Sequence, residues 1–138
     1  MTSELHQLAF DKIMQSRSYT VIVLKTKDIK FAVYVEPNVG KILQMYLTDQ
    51  EKPRPWTHDL MYSVFRGLDI GVRQVVIHDL QDTTYFARLF LEQQRGTLRH
   101  IVEIDARPSD CIALALMQNA PIYCTKDVLD KVIPFIEG

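Results

Sequence analysis

The sequence predicts an α+β fold, a single compact domain over residues 1–138 with a mixed, mostly antiparallel sheet packed by three to four helices. Two features predict it. Short apolar segments rich in β-branched residues alternate with polar turns, as in hairpins and meanders. Segments of helical period separate them, and an apolar helix near residue 110 leads to a last short strand. With 47% hydrophobic and 24% charged residues, the chain can bury a core.

The first half of the chain predicts a hairpin and two helices after an ambiguous opening. Residues 4–14 fit either a helical face or an irregular strand. Residues 19–25 and 30–35 predict a hairpin, and a helical period follows them. After a proline-stiffened loop, Thr57 is a candidate N-cap of a second helix, which is expected to close near Gly71. The apolar residues that this helix is expected to bury are Leu60, Met61, Val64, Phe65 and Leu68.

The second half predicts a three-stranded meander. Its strands lie between residues 72 and 105, with turns at residues 81–82 and 95–96. Alternation places Tyr85, Ala87, Leu89 and Leu91 on one face of the middle strand. After the apolar helix, residues 121–124 predict a short strand, and Thr125 is the expected cap of a last helix.

The corner between the meander and the apolar helix carries the sequence Arg107-Pro108-Ser109-Asp110. Proline suits the first helical position because it needs no amide partner. Either Arg107 or Ser109 can serve as the N-cap, and Asp110 faces the positive end of the helix dipole in both registers. Asn119 is the expected left-handed terminator. Strand-to-helix corners of this kind are where α/β proteins place their sites.

Composition restricts the possible functions. The net charge is −1 and the pI about 6.4, so any contact with nucleic acid must depend on a local cluster of basic residues. No apolar run is long enough to predict a membrane span, and the opening residues do not resemble a secretory signal. Cys111 and Cys124 lie in apolar segments without metal-ligand spacing, which predicts reduced, buried thiols in a cytoplasmic protein.

Polar residues gather at three predicted element boundaries. The clusters are Arg54 with His58 and Asp59, then His78 with Asp79 and Asp82, and finally Asp105 with Arg107, Ser109 and Asp110. Each cluster has a structural interpretation, because acidic residues compensate helix dipoles and form tight turns. Arginine and aspartate also pair to hold a corner in place. No single cluster is specific for a reaction.

The combination of the clusters supports a sharper hypothesis, which is phosphodiester cleavage. That reaction needs charge stabilisation on the phosphate, a proton acceptor and a proton donor. Guanidinium groups bind phosphate in a bidentate manner, histidines titrate near neutral pH, and carboxylates hold Mg²⁺ or Mn²⁺. We assign catalytic roles to His58, His78, Asp105 and Asp110, substrate binding to Arg54, Arg107 and Ser109, and a possible Mg²⁺ or Mn²⁺ site to Asp59 and Asp79.

Four ordered motifs resemble the bifunctional nuclease domain family, over nearly the whole chain. They are Arg54-Pro55 with Thr57-His58-Asp59-Leu60, Val76-Ile77-His78-Asp79-Leu80, Ile104-Asp105-Ala106-Arg107-Pro108-Ser109-Asp110, and Ala120-Pro121-Ile122-Tyr123. The resemblance implies a compact α+β domain that assembles as a homo-oligomer and degrades DNA and RNA. It also implies that the opening segment is a strand.

The chain departs from the family pattern after its third predicted strand. The family usually has a glycine there and a glutamate three residues later, whereas this chain has Glu36-Pro37-Asn38-Val39. Val39 stands where the glutamate would be, so an activity that needs that carboxylate would be weakened unless Glu36 replaces it. Cys111 stands where alanine is more usual.

Two alternative functions stay open. In the first, the chain is a non-enzymatic oligomeric module that regulates or binds protein partners, and the Arg/Asp clusters are structural clamps. In the second, it binds a small ligand in an apolar pocket near Trp56 and Phe65. A nuclease would instead need assembly to concentrate the arginines Arg54, Arg66, Arg73, Arg88, Arg95 and Arg99 on one face. The geometry of the clusters distinguishes these hypotheses. In structural clamps the Arg and Asp side chains pair with each other and are closed to ligands, whereas in a functional site they lie in an open cleft.

Overall fold

The computed structural model of the chain describes residues 4–48 and 57–136. Within these ranges the chain forms seven strands and four helices. The strands are β1 (Leu5–Gln15), β2 (Thr20–Lys25), β3 (Lys30–Val35), β4 (Ile70–Gln81), β5 (Thr84–Arg95), β6 (Leu98–Ala106) and β7 (Ile122–Thr125). The helices are α1 (Pro37–Leu47), α2 (Thr57–Gly67), α3 (Pro108–Gln118) and α4 (Lys126–Lys131). No helix in the described ranges has the length and apolar character to span a membrane.

The strands form one mixed sheet in the order β3-β2-β1-β7-β4-β5-β6, which confirms the predicted α+β fold. Strands β4 and β7 pair in parallel, and the other neighbouring pairs described are antiparallel. The long first strand joins the two halves, because its beginning pairs with β7 and its later part with β2. A register shift between Phe10 and Lys12 breaks its alternation. That bulge explains why the opening segment looked ambiguous in sequence.

Helix α3 packs against β4 and β5 and against the helices α1 and α2. Five consecutive residues of this helix, numbers 111–115, are buried, as expected for a helix that is apolar all round. Strands β3 and β5 lie close to each other although they are not neighbours in the sheet, so the sheet is curved. The rings of Phe31 and Tyr85 stack with centroids 5.9 Å apart, and the Tyr85 hydroxyl donates to the carbonyl of Ala32 at 3.3 Å.

Helix α1 packs on β2 at a position that only glycine can occupy. A Cβ on Gly40 would lie 2.2 Å from the Thr20 hydroxyl oxygen and 2.7 Å from the Thr20 Cβ. Real Cβ atoms do not approach other atoms so closely, so the glycine sets the distance between helix and strand. Val39 and Leu43 of the same helix are buried in the core.

Helix α2 differs from its sequence prediction. It ends at Gly67, and Gly71 lies inside β4. Phe65 is buried as expected and Met61 is half-buried, but Leu60, Val64 and Leu68 are exposed. The helix packs through a narrower face than predicted, and the polar His58 takes a buried position on it.

Predictions for α3, α4, the cysteines and β5 are confirmed. Arg107 is the N-cap of α3, and Asn119 ends the helix with φ of 53°. The Thr125 hydroxyl accepts a hydrogen bond from the amide of Val128 and so caps α4. Both cysteines are free and buried. Along β5, Ala87, Leu89 and Leu91 are buried on one face and Tyr85 is half-buried beside them.

Candidate functional site

The structure joins three predicted site residues at the start of α3. The Arg107 guanidinium donates to Asp110 through Nε at 2.9 Å and through Nη2 at 3.2 Å. The Asp110 Oδ1 atom also lies 3.0 Å from Nε2 of His58. Because an ionised carboxylate only accepts, Nε2 of His58 donates this hydrogen bond. These three residues form the Arg107–Asp110–His58 cluster.

The charges in this cluster favour the ionised form of Asp110. Burial alone would raise the pKa of Asp110, but hydrogen bonds and charge from Arg107 and His58 outweigh it and lower that pKa below 3.8. The hydrogen bond from Arg107 to Asp110 in turn raises the pKa of Arg107. His58 is only 5% exposed, and within the part of the chain that the structure describes its Nδ1 atom has no hydrogen-bond partner.

An open cleft of about 480 Å³ lies beside the exposed side of Arg107. The residues that contribute most to its chemistry are Tyr34, Glu36, Tyr85, Arg107 and Ser109. Its walls come from the end of β3, the turn between β4 and β5, and the first turn of α3. His58 and Asp110 do not line the cleft. The cluster therefore has a closed part, His58 with Asp110, and an open part, Arg107.

Two helices begin at this cleft in the same way. Glu36 is the N-cap of α1 and Arg107 is the N-cap of α3, and each is followed by proline at the first helical position. Neither helix has a side-chain hydrogen bond at its N-cap. Proline has no N–H group, and Val39 donates its amide to the carbonyl of Glu36. The amides of Asn38 and Ser109, each directly after the proline, have no intrahelical partner and lie at the positive ends of two helix dipoles. Such a place suits an anion.

Val39 and Glu36, at the predicted departure from the family pattern, have distinct surroundings. Val39, where the resemblance predicts a glutamate, is only 6% exposed and packs in the core. Glu36 is exposed, lines the cleft and acts electrostatically on Arg107. The carboxylate present in this cleft is therefore that of Glu36.

Two other predicted catalytic residues lie outside the cluster. His78 is the extra residue where the register between β4 and β5 shifts, and its ring lies 6.5 Å from that of Phe86. Its Nε2 atom is buried and has no hydrogen-bond partner within the described ranges. Asp105 is exposed on β6, directly opposite Arg88. Neither residue lines the cleft.

The two predicted metal ligands have other contacts. The Tyr46 hydroxyl donates to Asp59, which joins α1 to α2, and burial together with this hydrogen bond raises the pKa of Tyr46. Asp79 accepts from the side chain of Gln81, the amide of Leu80 and the ammonium of Lys131, so its pKa is lowered. Across residues 4–48 and 57–136, no three His, Cys, Asp or Glu side chains form a group able to hold a metal.

Three further residues bear on the site: one that the sequence predicted and two that it did not. Arg54, predicted to bind substrate, lies outside the described residues. Tyr34 and Tyr85 line the cleft but were not assigned to a site from the sequence. Tyr34 is 68% exposed, and its ring meets that of Tyr19 edge to face at 5.6 Å. The signal that could have located this cleft is the repeated charged-residue–proline pair at residues 36–37 and 107–108.

Comparisons with known proteins point to one family. The family model described as "Bifunctional nuclease domain" matches residues 22–136. A Mycobacterium tuberculosis protein named as uncharacterized is 28% identical over 120 residues, which is 86% of this chain and 69% of that protein. Bifunctional nuclease 1 of Arabidopsis thaliana is 29% identical over 113 residues, which is 78% of this chain and 34% of the plant protein.

A rice protein gives a similar result. Bifunctional nuclease 1 of Oryza sativa subsp. japonica is 24% identical over 120 residues, which is 85% of this chain and 36% of the rice protein. The chain thus spans about a third of each plant relative. The family model covers far more than half of the 138 residues. The chain belongs to the bifunctional nuclease domain family.

Proposed function

We propose that this chain is a nuclease that hydrolyses phosphodiester bonds of DNA, RNA or both. The observation that carries the proposal is the exposed guanidinium of Arg107 in an open cleft where two helices begin. The side chain of Arg107 is 62% exposed even though Asp110 holds two of its N–H groups. Its other donors remain for a phosphate, which guanidinium groups bind in a bidentate manner. The names of the plant relatives agree with this proposal.

The cleft residues divide the work of hydrolysis. Arg107 and the first-turn amides of α3 neutralise the charge that builds on the phosphate in the transition state. Glu36 accepts the proton of the attacking water, because its carboxylate is the one that lines the cleft. The ester oxygen that leaves as the P–O bond breaks takes its proton from solvent in the open cleft. Tyr34 presents an exposed ring on which a nucleotide base stacks. Asp110 and His58 are positioning residues that hold Arg107 in place.

Within residues 4–48 and 57–136, the residues do not fit the Mg²⁺ or Mn²⁺ site predicted from the sequence. Asp59 and Asp79 have other partners, and these ranges contain no set of three metal-ligating side chains. The experiment below therefore measures cleavage both with and without divalent ions.

Electrostatics weaken substrate binding by a single chain. On the outer face of the sheet, Glu92 pairs with both Arg73 and Arg99, and Arg88 pairs with Glu103. These arginines are neutralised within the chain and do not form a basic stripe. Nucleic-acid binding therefore depends on the cleft, and we expect its affinity to fall as the salt concentration rises.

We also propose that the chain forms a homo-oligomer and has a cytoplasmic location. The location is proposed because Cys111 and Cys124 are reduced and buried.

A second candidate function is a non-enzymatic binding module, and one observation favours it. His58 is buried and bonded to Asp110, so this pair has the closed geometry of a structural clamp. A buried imidazole does not exchange protons with a substrate in the cleft. The two candidates differ in what Arg107 and Glu36 do, which activity measurements can determine.

The test is cleavage of labelled single-stranded RNA and DNA by purified protein at low salt, with Mg²⁺, with Mn²⁺ and with EDTA. Arg107→Ala and Glu36→Gln are each expected to reduce the rate about 100-fold or more, as loss of one charge-stabilising or acid–base group does. Lys27→Ala, which removes an exposed positive charge from the turn between β2 and β3, is the control and should leave the rate unchanged, because Lys27 does not line the cleft. His58→Ala should lower activity only as far as it disturbs Arg107.

The outcomes separate the two candidates. Activity that survives both Arg107→Ala and Glu36→Gln in folded protein would place the reaction elsewhere or in a contaminant. Absence of cleavage in every metal condition would favour the binding module. Replacing Tyr34 by alanine should weaken binding of single strands about 5- to 100-fold, whereas Tyr34→Phe keeps the ring and should preserve it.

A further inference from the structure

A second pocket adjoins the cleft at Arg107 and shares part of its lining. It has a volume of about 280 Å³ and lies between β3, the turn from β4 to β5 and the segment that follows α4. Tyr34, Thr83 and Tyr85 line both spaces, so these side chains form the boundary between them. A ligand that crosses this boundary can occupy the pocket and the cleft together.

Three aromatic side chains line the pocket, those of Tyr34, Tyr85 and Phe135. Stacking on Phe31 holds the ring of Tyr85, and the amide of Phe135 donates to the carbonyl of Lys30 at 2.7 Å. Aromatic rings held in this way are platforms on which nucleic-acid bases stack. The volume lies just below the range of about 300–1,000 Å³ for drug-sized ligands, so the pocket suits a ligand of one or two rings.

Two side chains of opposite charge line the same pocket. Asp82 is exposed in the turn between β4 and β5, and within the described ranges its carboxylate has no hydrogen-bond or ion-pair partner. Lys131 donates to Asp79 at 3.3 Å, which leaves further N–H groups of its ammonium for a ligand. No ion pair joins Asp82 to Lys131 in the part of the chain that the structure describes. An acceptor and a donor are therefore presented separately.

This combination of an acceptor and a donor matches one nucleic-acid base. A carboxylate only accepts hydrogen bonds, and the Watson–Crick edge of guanine carries two adjacent donors, N1–H and the N2 amino group. The neighbouring O6 of guanine is an acceptor, which suits an ammonium group. Adenine and cytosine have a ring nitrogen that accepts where guanine has N1–H, so its lone pair would face the carboxylate. Uracil and thymine have a single N–H group between two carbonyl oxygens.

We infer that this pocket binds a guanine base whose phosphate lies at Arg107, with Asp82 accepting from N1–H and the N2 amino group and Lys131 donating to O6. Tyr34, at the boundary of the two spaces, supplies the ring on which this base stacks. The inference rests on the proposed function for one point, that the base belongs to the single-stranded DNA or RNA which the chain cleaves. On that view Asp82 determines specificity.

Binding of nucleoside monophosphates tests the pocket without cleavage, because these molecules contain no phosphodiester bond. In NMR titrations of isotope-labelled protein at low salt, guanosine monophosphate should bind about 5- to 150-fold more tightly than the adenosine, cytidine and uridine monophosphates. Isomers with the phosphate on either side of the ribose are titrated separately. The amide signals of Asp82, Thr83 and Phe135 should shift. Guanosine without phosphate should bind more weakly, and this difference should disappear in Arg107→Ala.

Asp82→Asn tests how the base is recognised. The change keeps the size of the side chain, and asparagine tolerates the left-handed backbone at this position, where φ is 56°. An amide offers one donor and one acceptor, which match the ring nitrogen and the amino group of adenine. Adenosine monophosphate should therefore become the tighter ligand of this variant. Lys131→Ala should lower the affinity for guanosine monophosphate more than that for adenosine monophosphate, whose base has no carbonyl group.

Asp69→Asn is the matched control. Asp69 is also an exposed aspartate with a left-handed backbone, at φ of 55°, but it lines neither the pocket nor the cleft. Its replacement removes the same charge and should leave the preference for guanine unchanged.

Cleavage of a single-stranded RNA that contains all four bases tests whether the bound base belongs to the substrate. Cuts beside guanine should predominate with the wild type and with Asp69→Asn. The preference for guanine should be lost with Asp82→Asn. The NMR spectra show whether each variant is folded.

Equal binding of the four monophosphates by the wild type would overturn the inference, as would a guanine preference that persists in folded Asp82→Asn. Cleavage without base preference would overturn the assignment of the bound guanine to the substrate. Tight binding of guanosine monophosphate by a protein that cleaves neither DNA nor RNA would instead refute the proposed function, and it would support the guanine pocket. The two proposals can therefore fail separately.

Discussion

The imidazole of His58 and the carboxylate of Asp110 lie 3.0 Å apart, although 52 positions separate them in the sequence. This hydrogen bond joins the first turn of α2 to the first turn of α3. The next residue, Asp59, accepts from Tyr46 and joins α2 to α1. His58 and Asp59 thus hold α2 in place, although this helix buries few apolar side chains.

We expect His58→Ala to lower the free energy of unfolding by about 1 to 3 kcal/mol, because it leaves the partly buried Asp110 with one partner fewer. Urea unfolding measures the effect. In a double-mutant cycle with Asp110→Asn, the two changes should be coupled by roughly 1 kcal/mol or more. Additive effects would show that the pair does not contribute as a unit.

The stability contributed by Asp110 should depend on pH in the acid range. Its pKa in the folded protein is held below the ordinary value of 3.8, so the ionised form stabilises the fold at pH values above 3.8. That contribution is lost as the pH falls from 3.8 through the folded-state pKa. The difference in unfolding free energy between wild type and Asp110→Asn should therefore shrink as the pH falls below 3.8. A difference that does not change with pH would contradict this.

Gly40→Ala should destabilise the protein by roughly 1 to 3 kcal/mol or more, as overpacking does. The added Cβ would lie 2.2 Å from the Thr20 hydroxyl, on a strand that cannot easily move. Gly67→Ala is the matched control, because nothing lies within 4 Å of its added Cβ. Thermal or urea unfolding should show a loss for Gly40→Ala and a gain or no change for Gly67→Ala. A loss of the same size in both would point to a general effect of replacing helical glycine.

Both cysteines should resist alkylation in the native protein. Burial raises the pKa of Cys111 to about 12 and that of Cys124 to about 11, so neither forms the reactive thiolate at neutral pH. Counting thiols with a chromogenic disulfide should detect none in native protein and both in concentrated guanidinium chloride. Rapid reaction of either thiol under native conditions would show that α3 or β7 opens readily.

Much of the fold could be predicted from local pattern. The hairpin of β2 and β3, the strand β5 and the caps of α3 and α4 depend on residues close in sequence, so alternation and capping chemistry revealed them. The opening strand did not show its type, because the bulge after Phe10 breaks its alternation and its two partners lie far along the chain. The prediction that Leu60, Val64 and Leu68 of α2 are buried was also wrong, because the spacing of apolar residues does not determine which elements pack against a helix.

Sequence by itself determined the strand-to-helix corner at Arg107-Pro108-Ser109-Asp110, since proline and a short polar segment set the start of α3 locally. Tertiary structure decided what this corner does. It brought His58 to Asp110, left Arg107 open to a cleft shared with Glu36 and Tyr34, and kept His78 and Asp105 away from that cleft. Those placements follow from the packing of α3 against α2, β4 and β5 and from the approach of β3 to β5, which depend on contacts between residues distant in the chain.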